Sequence, residues 1–208
     1  MRTGTQRSEQ KGFAEVSESV VLVSGLPRSG TSMMMRMLKA GGMPVVTDNI
    51  RGPDEDNPAG YYELEKIKQI KQDASWLKSE KGRAIKAISA FLPFLPEDIF
   101  YYVIFMKRNM GEILASQRKM LERRGGQDGD TPDELLAEKY EKYLEATFNW
   151  LEKKDHFRVF YVNYADIVRD PAGQAGAVKE FLGLGLDTEK MAQAVDPGLY
   201  RQRIEKAV

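Results

Sequence analysis

The run SGLPRSGTSM at 24–33 follows the apolar stretch SVVLV. It holds Gly25 and Gly30 with four residues between them, and Thr31-Ser32 directly after. That is the spacing of a phosphate-binding loop, GxxxxGK[ST], in the context of a preceding strand and a following helix that such a loop needs. Backbone N–H groups of the turn, together with the helix N-terminus, form a cradle for an oxyanion. Pro27, Arg28, Ser29, Gly30, Thr31 and Ser32 are therefore read as anion-binding. Thr31 stands where loops that grip a nucleoside triphosphate carry lysine, and the loop's own cation is Arg28. A guanidinium holds two oxygens in a planar fork, where an ammonium is a point charge.

A second cationic position points the same way. The strand-like run FYYVIFM at 100–106 ends in Lys107-Arg108. Phosphotransferases that use Mg²⁺ place an aspartate at such a strand end, whereas a cationic end repels a metal and attracts an anion. The pattern suits a nucleotide handled without magnesium. A P-loop kinase or other phosphotransferase, and a nucleotide-binding module without catalysis, are the alternatives.

These residues resemble the sulfotransferases that use 3′-phosphoadenosine 5′-phosphosulfate (PAPS). PRSGTS at 27–32 is similar to that family's loop for the 5′-phosphosulfate, which has Lys in the cytosolic enzymes and Arg in the protein-tyrosine sulfotransferases and many bacterial ones. VIFMKRNMGEILAS at 103–116 is similar to its 3′-phosphate motif, a strand ending in Arg108 with Ser116 eight residues on. VFYVNYADIVRDP and VKEFLGL resemble a later strand, turn and helix of the family, so the similarity runs from about Val20 to Leu184.

The resemblance implies a P-loop NTPase-like α/β fold, a three-layer sandwich around a mainly parallel sheet. It implies PAPS as donor, 3′,5′-adenosine bisphosphate (PAP) as product, no metal, and a hydroxyl or amine acceptor on a small molecule, carbohydrate or lipid. Arg108 and Ser116 would hold the 3′-phosphate. Arg28 and Lys86 would stabilise the bridging oxygen and the sulfonate in flight. Arg201 and Arg203, in the tail VDPGLYRQR, would close over the donor.

Transfer also needs a base for the acceptor's proton. Cytosolic family members use a His in a segment like KTHLP; here IKAIS at 85–89 supplies Lys86 but no His. The only histidine, His156, precedes a later strand and is read as a bystander. A carboxylate must serve. Glu63 in NPAGYYELEK is the first choice and Asp48 in VVTDN the alternative, while Asp54, Glu55 and Asp56 read as solvated loop charge. Tyr61, Tyr62, Phe91 and Phe94 suit either an acceptor pocket or core packing. Met33, Met34 and Met35 read as helix packing.

The elements that must position these groups follow from periodicity. Strands are expected at 19–23, 44–47, 84–89, 100–106 and 158–162, with helices at 31–40, 63–76, 110–123, 172–182 and 188–195. Thr131-Pro132 opens a further long helix with Thr131 as N-cap and a stripe of Leu136, Tyr140, Tyr143, Thr147 and Leu151. Alternating strands and helices imply a parallel sheet with ligands at the carboxyl ends of its strands. Residues 19–208 are expected to form one domain after a flexible leader, 1–18.

Composition narrows the classes. Lys+Arg and Asp+Glu number 31 each, so net charge gives no hint of a nucleic-acid partner. Without cysteine there is no disulfide, zinc thiolate or thiol nucleophile. No apolar run reaches the length of a membrane span and no signal core is present, so a cytoplasmic protein is expected.

Overall fold

The computed structural model describes residues 14–48, 50–55, 57, 60–123, 125 and 131–201. Residues 1–13 of the expected leader lie outside these, as do Asp56 and Arg203. Within the rest of that leader, a 3-10 turn at Val16–Glu18 buries Val16 in the core.

Four strands make the sheet: β1 (Val20–Gly25), β2 (Ala84–Lys86), β3 (Tyr101–Lys107) and β4 (Phe157–Asn163). Their order is β2-β1-β3-β4 and every pairing is parallel. Alternation decides the layers. Val21, Val23, Tyr102, Ile104 and Met106 face one apolar cluster, while Val20, Leu22, Tyr101, Val103 and Phe105 face the other. Each fully buried side chain of this kind stabilises by about 1.5–3 kcal/mol. A one-residue slip would exchange the two sets, so the register is firmly specified. It pairs Val23 with Lys86 and Gly25 with Met106, which brings Lys86, the loop after β1 and the end of β3 to one edge of the sheet.

The helices are α1 (Thr31–Ala40), α2 (Met110–Arg123), α3 (Asp133–Leu151), α4 (Tyr164–Arg169), α5 (Pro171–Leu182) and α6 (Thr188–Gln193). Met34, Met35, Ile167, Val178 and Met191 cover one face of the sheet. Leu151 and the short turns around Ile67, Leu77 and Leu92 cover the other. The expected three-layer α/β architecture is therefore present, and Met33, Met34 and Met35 are all buried. Among the described residues no helix is long and apolar enough to cross a membrane.

Four local expectations are corrected. The segment 44–47 forms no strand beyond a single bridge, Val45 to Ala84. Thr47 Oγ1 and the Asp48 N–H turn away to the Glu63 carbonyl instead. Residues 63–76 are not an α-helix but hold a 3-10 turn at Glu65–Gln69 and the start of another, Ser75–Glu80. The Asp73 carboxylate accepts from both the N–H and the hydroxyl of Ser75, a local bond that competes with the helical ladder. The N-cap of α3 is Pro132 rather than Thr131, and of its expected stripe only Leu151 is buried. Helix α4, hidden in NYADIVR, was not anticipated.

Candidate active site

Gly25, at φ 143°, ends β1 so closely against its neighbours that a Cβ would lie 2.5 Å from Ser29 Oγ and 2.6 Å from the Met106 carbonyl. Gly30, at φ 102°, is the N-cap of α1, and a Cβ there would strike the Tyr164 ring. No side chain caps α1, so the orphan N–H groups of its first turn remain for an anion. The Ser29 hydroxyl is enclosed in the loop without a hydrogen-bond partner. An open helix terminus, a cradle that a Cβ would fill and an unsatisfied donor all fit a phosphate-type oxyanion.

Arg28 adopts φ 73°, the left-handed region that costs a non-glycine residue about 1–2 kcal/mol. Contacts on either side offset that strain. Arg28 Nε donates to Ser116 Oγ at 2.9 Å, and the Arg28 carbonyl accepts from Arg108 Nη1 at 3.1 Å. The loop is thus fastened to the end of β3 and to α2. Arg108 itself is buried: its Nε meets Glu112 Oε2 at 2.9 Å, and its guanidinium lies 4.5 Å from the Tyr164 ring centroid. The other Glu112 oxygen accepts from the Tyr200 hydroxyl at 2.6 Å. Burial and that bond push the Tyr200 phenol up to about 12, so it remains the donor.

On the other side of α1, Lys86 Nζ donates to the Tyr61 carbonyl at 2.6 Å and to Ser32 Oγ at 3.1 Å. Glu63 Oε1 is 3.6 Å from Lys86 Nζ and 3.4 Å from Arg51 Nη1. Burial pulls the Lys86 ammonium down to about 8, with the nearby Glu63 carboxylate opposing the shift. The guanidinium of Arg51 stacks on the Tyr61 ring at 3.3 Å, and the Tyr61 hydroxyl donates to Asp54 at 2.5 Å.

One cavity of about 280 Å³ joins these groups. Of the expected residues, Pro27, Arg28, Gly30, Thr31, Ser32, Glu63, Lys86, Arg108, Ser116 and Arg201 line it. Ser29 is buried beneath the loop. Arg201 reaches the cavity while its Nη1 donates to the Glu55 carbonyl at 2.8 Å. Asp48 does not line the cavity. Its carboxylate accepts from the N–H groups of Glu65 at 2.6 Å and Ile50 at 3.0 Å. Those bonds, the Glu65 one first, hold it below the usual aspartate range. Of the four aromatic candidates only Tyr61 faces the cavity, and His156 lies just before β4, at the opposite end of the sheet.

Among the described residues, eight Lys and Arg line the cavity and Glu63 is the one acid. The sequence reading missed Arg36, Arg51, Lys119, Tyr164, Glu112 and Tyr200. Glu112 had a signal, four residues after Arg108 on a helix. Arg51 and Tyr200 lie in irregular backbone, where spacing carries no direction.

The family described as "Sulfotransferase domain" matches residues 18–197. The fold is similar to the sulfotransferase domain of the olefin synthase from Synechococcus PCC 7002, at 16% identity and TM-score 0.55, covering 94% of this chain and 91% of that one. It is also similar to the sulfotransferase domain from the curacin biosynthetic pathway, at 13% identity and TM-score 0.51, covering 93% and 94%. No curated protein matches the chain.

Proposed function

The chain belongs to the sulfotransferase family, and from that membership we propose that it moves a sulfonate from PAPS to an acceptor hydroxyl or amine. The observation that carries the reading is the 2.9 Å contact between Arg28 and Ser116, which joins the loop after β1 to the β3–α2 motif over one cavity.

In this reading the N-terminus of α1 and Arg28 hold the 5′-phosphosulfate, while Arg108 and Ser116 hold the 3′-phosphate and so select this donor over ATP. Arg201 covers the donor from the C-terminal side. Glu63 takes the acceptor's proton as the acceptor attacks sulfur. The new S–O or S–N bond forms as the bond from sulfur to the bridging oxygen breaks, and PAP leaves with that electron pair. Lys86, protonated at neutral pH, and Arg28 absorb the charge that develops on the leaving oxygen. No metal enters the step. Asp48, committed to two backbone N–H groups outside the cavity, is the weaker base.

The test is transfer of labelled sulfonate from PAPS to a panel of phenols and amines, with and without Mg²⁺. Transfer should proceed without Mg²⁺, and Glu63→Gln should lower it by about 10²–10⁴-fold while PAP affinity stays. Full activity in Glu63→Gln would move the base elsewhere. PAP binding with no transfer to any acceptor would make the chain a binding module.

A further inference from the structure

The cations around the cavity are not equally matched by the chain's own acids. This inference rests on the sulfotransferase reading, in which the donor brings roughly four negative charges, about two of them on its 3′-phosphomonoester. Arg28, Lys86 and Arg108 face these, with Lys86 shared with Glu63 and Arg108 with Glu112. Lys119, three residues after Ser116 on α2 and also lining the cavity, faces the same end. Arg123 and Arg201 meet Glu55 at the rim. That leaves Arg36 and Arg51 on the cavity wall, and Arg51 already meets Glu63 at 3.4 Å and Asp54 at 3.5 Å.

Arg36 is the informative one. It is half-buried, it has no acidic partner among the described residues, and its Nε is enclosed without a hydrogen-bond acceptor. An enclosed N–H without an acceptor is costly, and an arriving anion would satisfy it. Its position says which anion. Arg36 follows Ser32 by one helical turn on the same face of α1. Ser32 Oγ donates to the Tyr61 carbonyl at 3.2 Å and accepts from Lys86. Helical side chains lean toward the N-terminus, so Arg36 reaches back over that turn. That direction sets it over Ser32, whose hydroxyl meets Lys86 and the Tyr61 carbonyl, rather than over the Arg28–Ser116 contact. Arg51, beside Glu63, adds a second guanidinium there.

We propose that the acceptor is itself an anion, a hydroxyl- or amine-bearing molecule whose carboxylate or phosphate is held by Arg36, with Arg51 beside it, while its nucleophile faces Glu63. An acceptor with no anionic group would leave the enclosed Nε of Arg36 without a charged partner. An anionic one satisfies it with charge-assisted hydrogen bonds, whose net worth corresponds to about 10- to 100-fold in affinity.

The experiment titrates the PAP-saturated protein, by calorimetry, with 4-hydroxyphenylacetate, its neutral methyl ester and 4-hydroxybenzylphosphonate. At least one anion should bind about tenfold or more tightly than the ester, and the order of the two anions reports whether a carboxylate or a phosphate-like group is favoured. Arg36→Gln should abolish the preference, Arg36→Lys should keep part of it, and neither should change PAP affinity. Equal binding of the ester, or no binding of either anion, overturns the proposal. So does a preference that survives Arg36→Gln, or a loss of PAP affinity in that variant, which would assign Arg36 to the donor. Failure of PAP to bind the wild-type protein is a separate result; it overturns the sulfotransferase reading and this inference with it.

Discussion

Arg28 and Ser116, 88 residues apart in sequence, are joined by a 2.9 Å hydrogen bond from Nε to Oγ. The bond ties the loop after β1 to the second turn of α2. The two motifs that would grip opposite ends of one nucleotide are therefore already joined without a ligand. Such preorganisation lowers the ordering cost of binding.

Behind that unit, Glu112 accepts from both Arg108 and Tyr200. Removing one partner of a buried pair leaves the other charge enclosed and costs about 3–5 kcal/mol. Losing the Tyr200 hydroxyl costs about 1 kcal/mol. In urea denaturation Glu112→Gln should therefore destabilise well beyond Tyr200→Phe, and the double variant should lose less than the sum. Strictly additive losses would show that the three groups do not act together.

Asp48 and Glu63 should separate cleanly. Asp48→Asn should leave turnover within a few-fold of wild type while lowering the melting temperature, because its carboxylate holds two backbone N–H groups. The folded value of Asp48 is depressed, so its stabilising contribution is present above the unfolded value of 3.8 and is lost as pH falls through the folded one. The gap in melting temperature between wild type and Asp48→Asn should accordingly close in acid. A gap that persists there, or a collapse of turnover in Asp48→Asn, contradicts this assignment.

Lys86 predicts an alkaline limb. Burial brings its ammonium down to about 8 from 10.5, so kcat/KM should fall as pH rises through about 8. The stability effect has the opposite sign. Between about 8 and 10.5 the unfolded chain holds the proton more tightly, so the ligand-free protein gains stability across that window. Lys86→Arg, which stays charged, should remove the limb near pH 8 from the rate profile. A profile unchanged by that substitution would exclude Lys86 from the charged machinery.

The sheet and the part of the cavity built from the loop after β1 and the β3–α2 junction were legible because their signals are local. β-branched runs mark β1 and β3, two glycines mark the loop, and a fixed spacing links Arg108 to Ser116. The part around Glu63 and Lys86 was legible only as a list of residues. Glu63 was expected to open a helix, but Leu64 is extended, at φ −136° and ψ 113°, and Tyr62 takes the left-handed φ of 52°. Such backbone obeys no period, and it is what sets Glu63 between Arg51 and Lys86. The choice between Glu63 and Asp48 likewise needed three dimensions, since only the fold turns one carboxylate into the cavity and the other onto backbone N–H groups. Arg36 looked like one more charge on a helix until the cavity wall was in view.

The most direct measurement compares thermal stabilisation by PAP with that by ADP and Mg²⁺, in wild type and in Arg108→Ala. A ligand that binds only the folded state raises the melting temperature according to its affinity. Stabilisation by PAP well above that by ADP with Mg²⁺, lost in Arg108→Ala, is the predicted result. Equal or greater stabilisation by ADP with Mg²⁺ would mean that the loop holds an ordinary nucleotide, and would contradict a PAPS-dependent sulfotransferase.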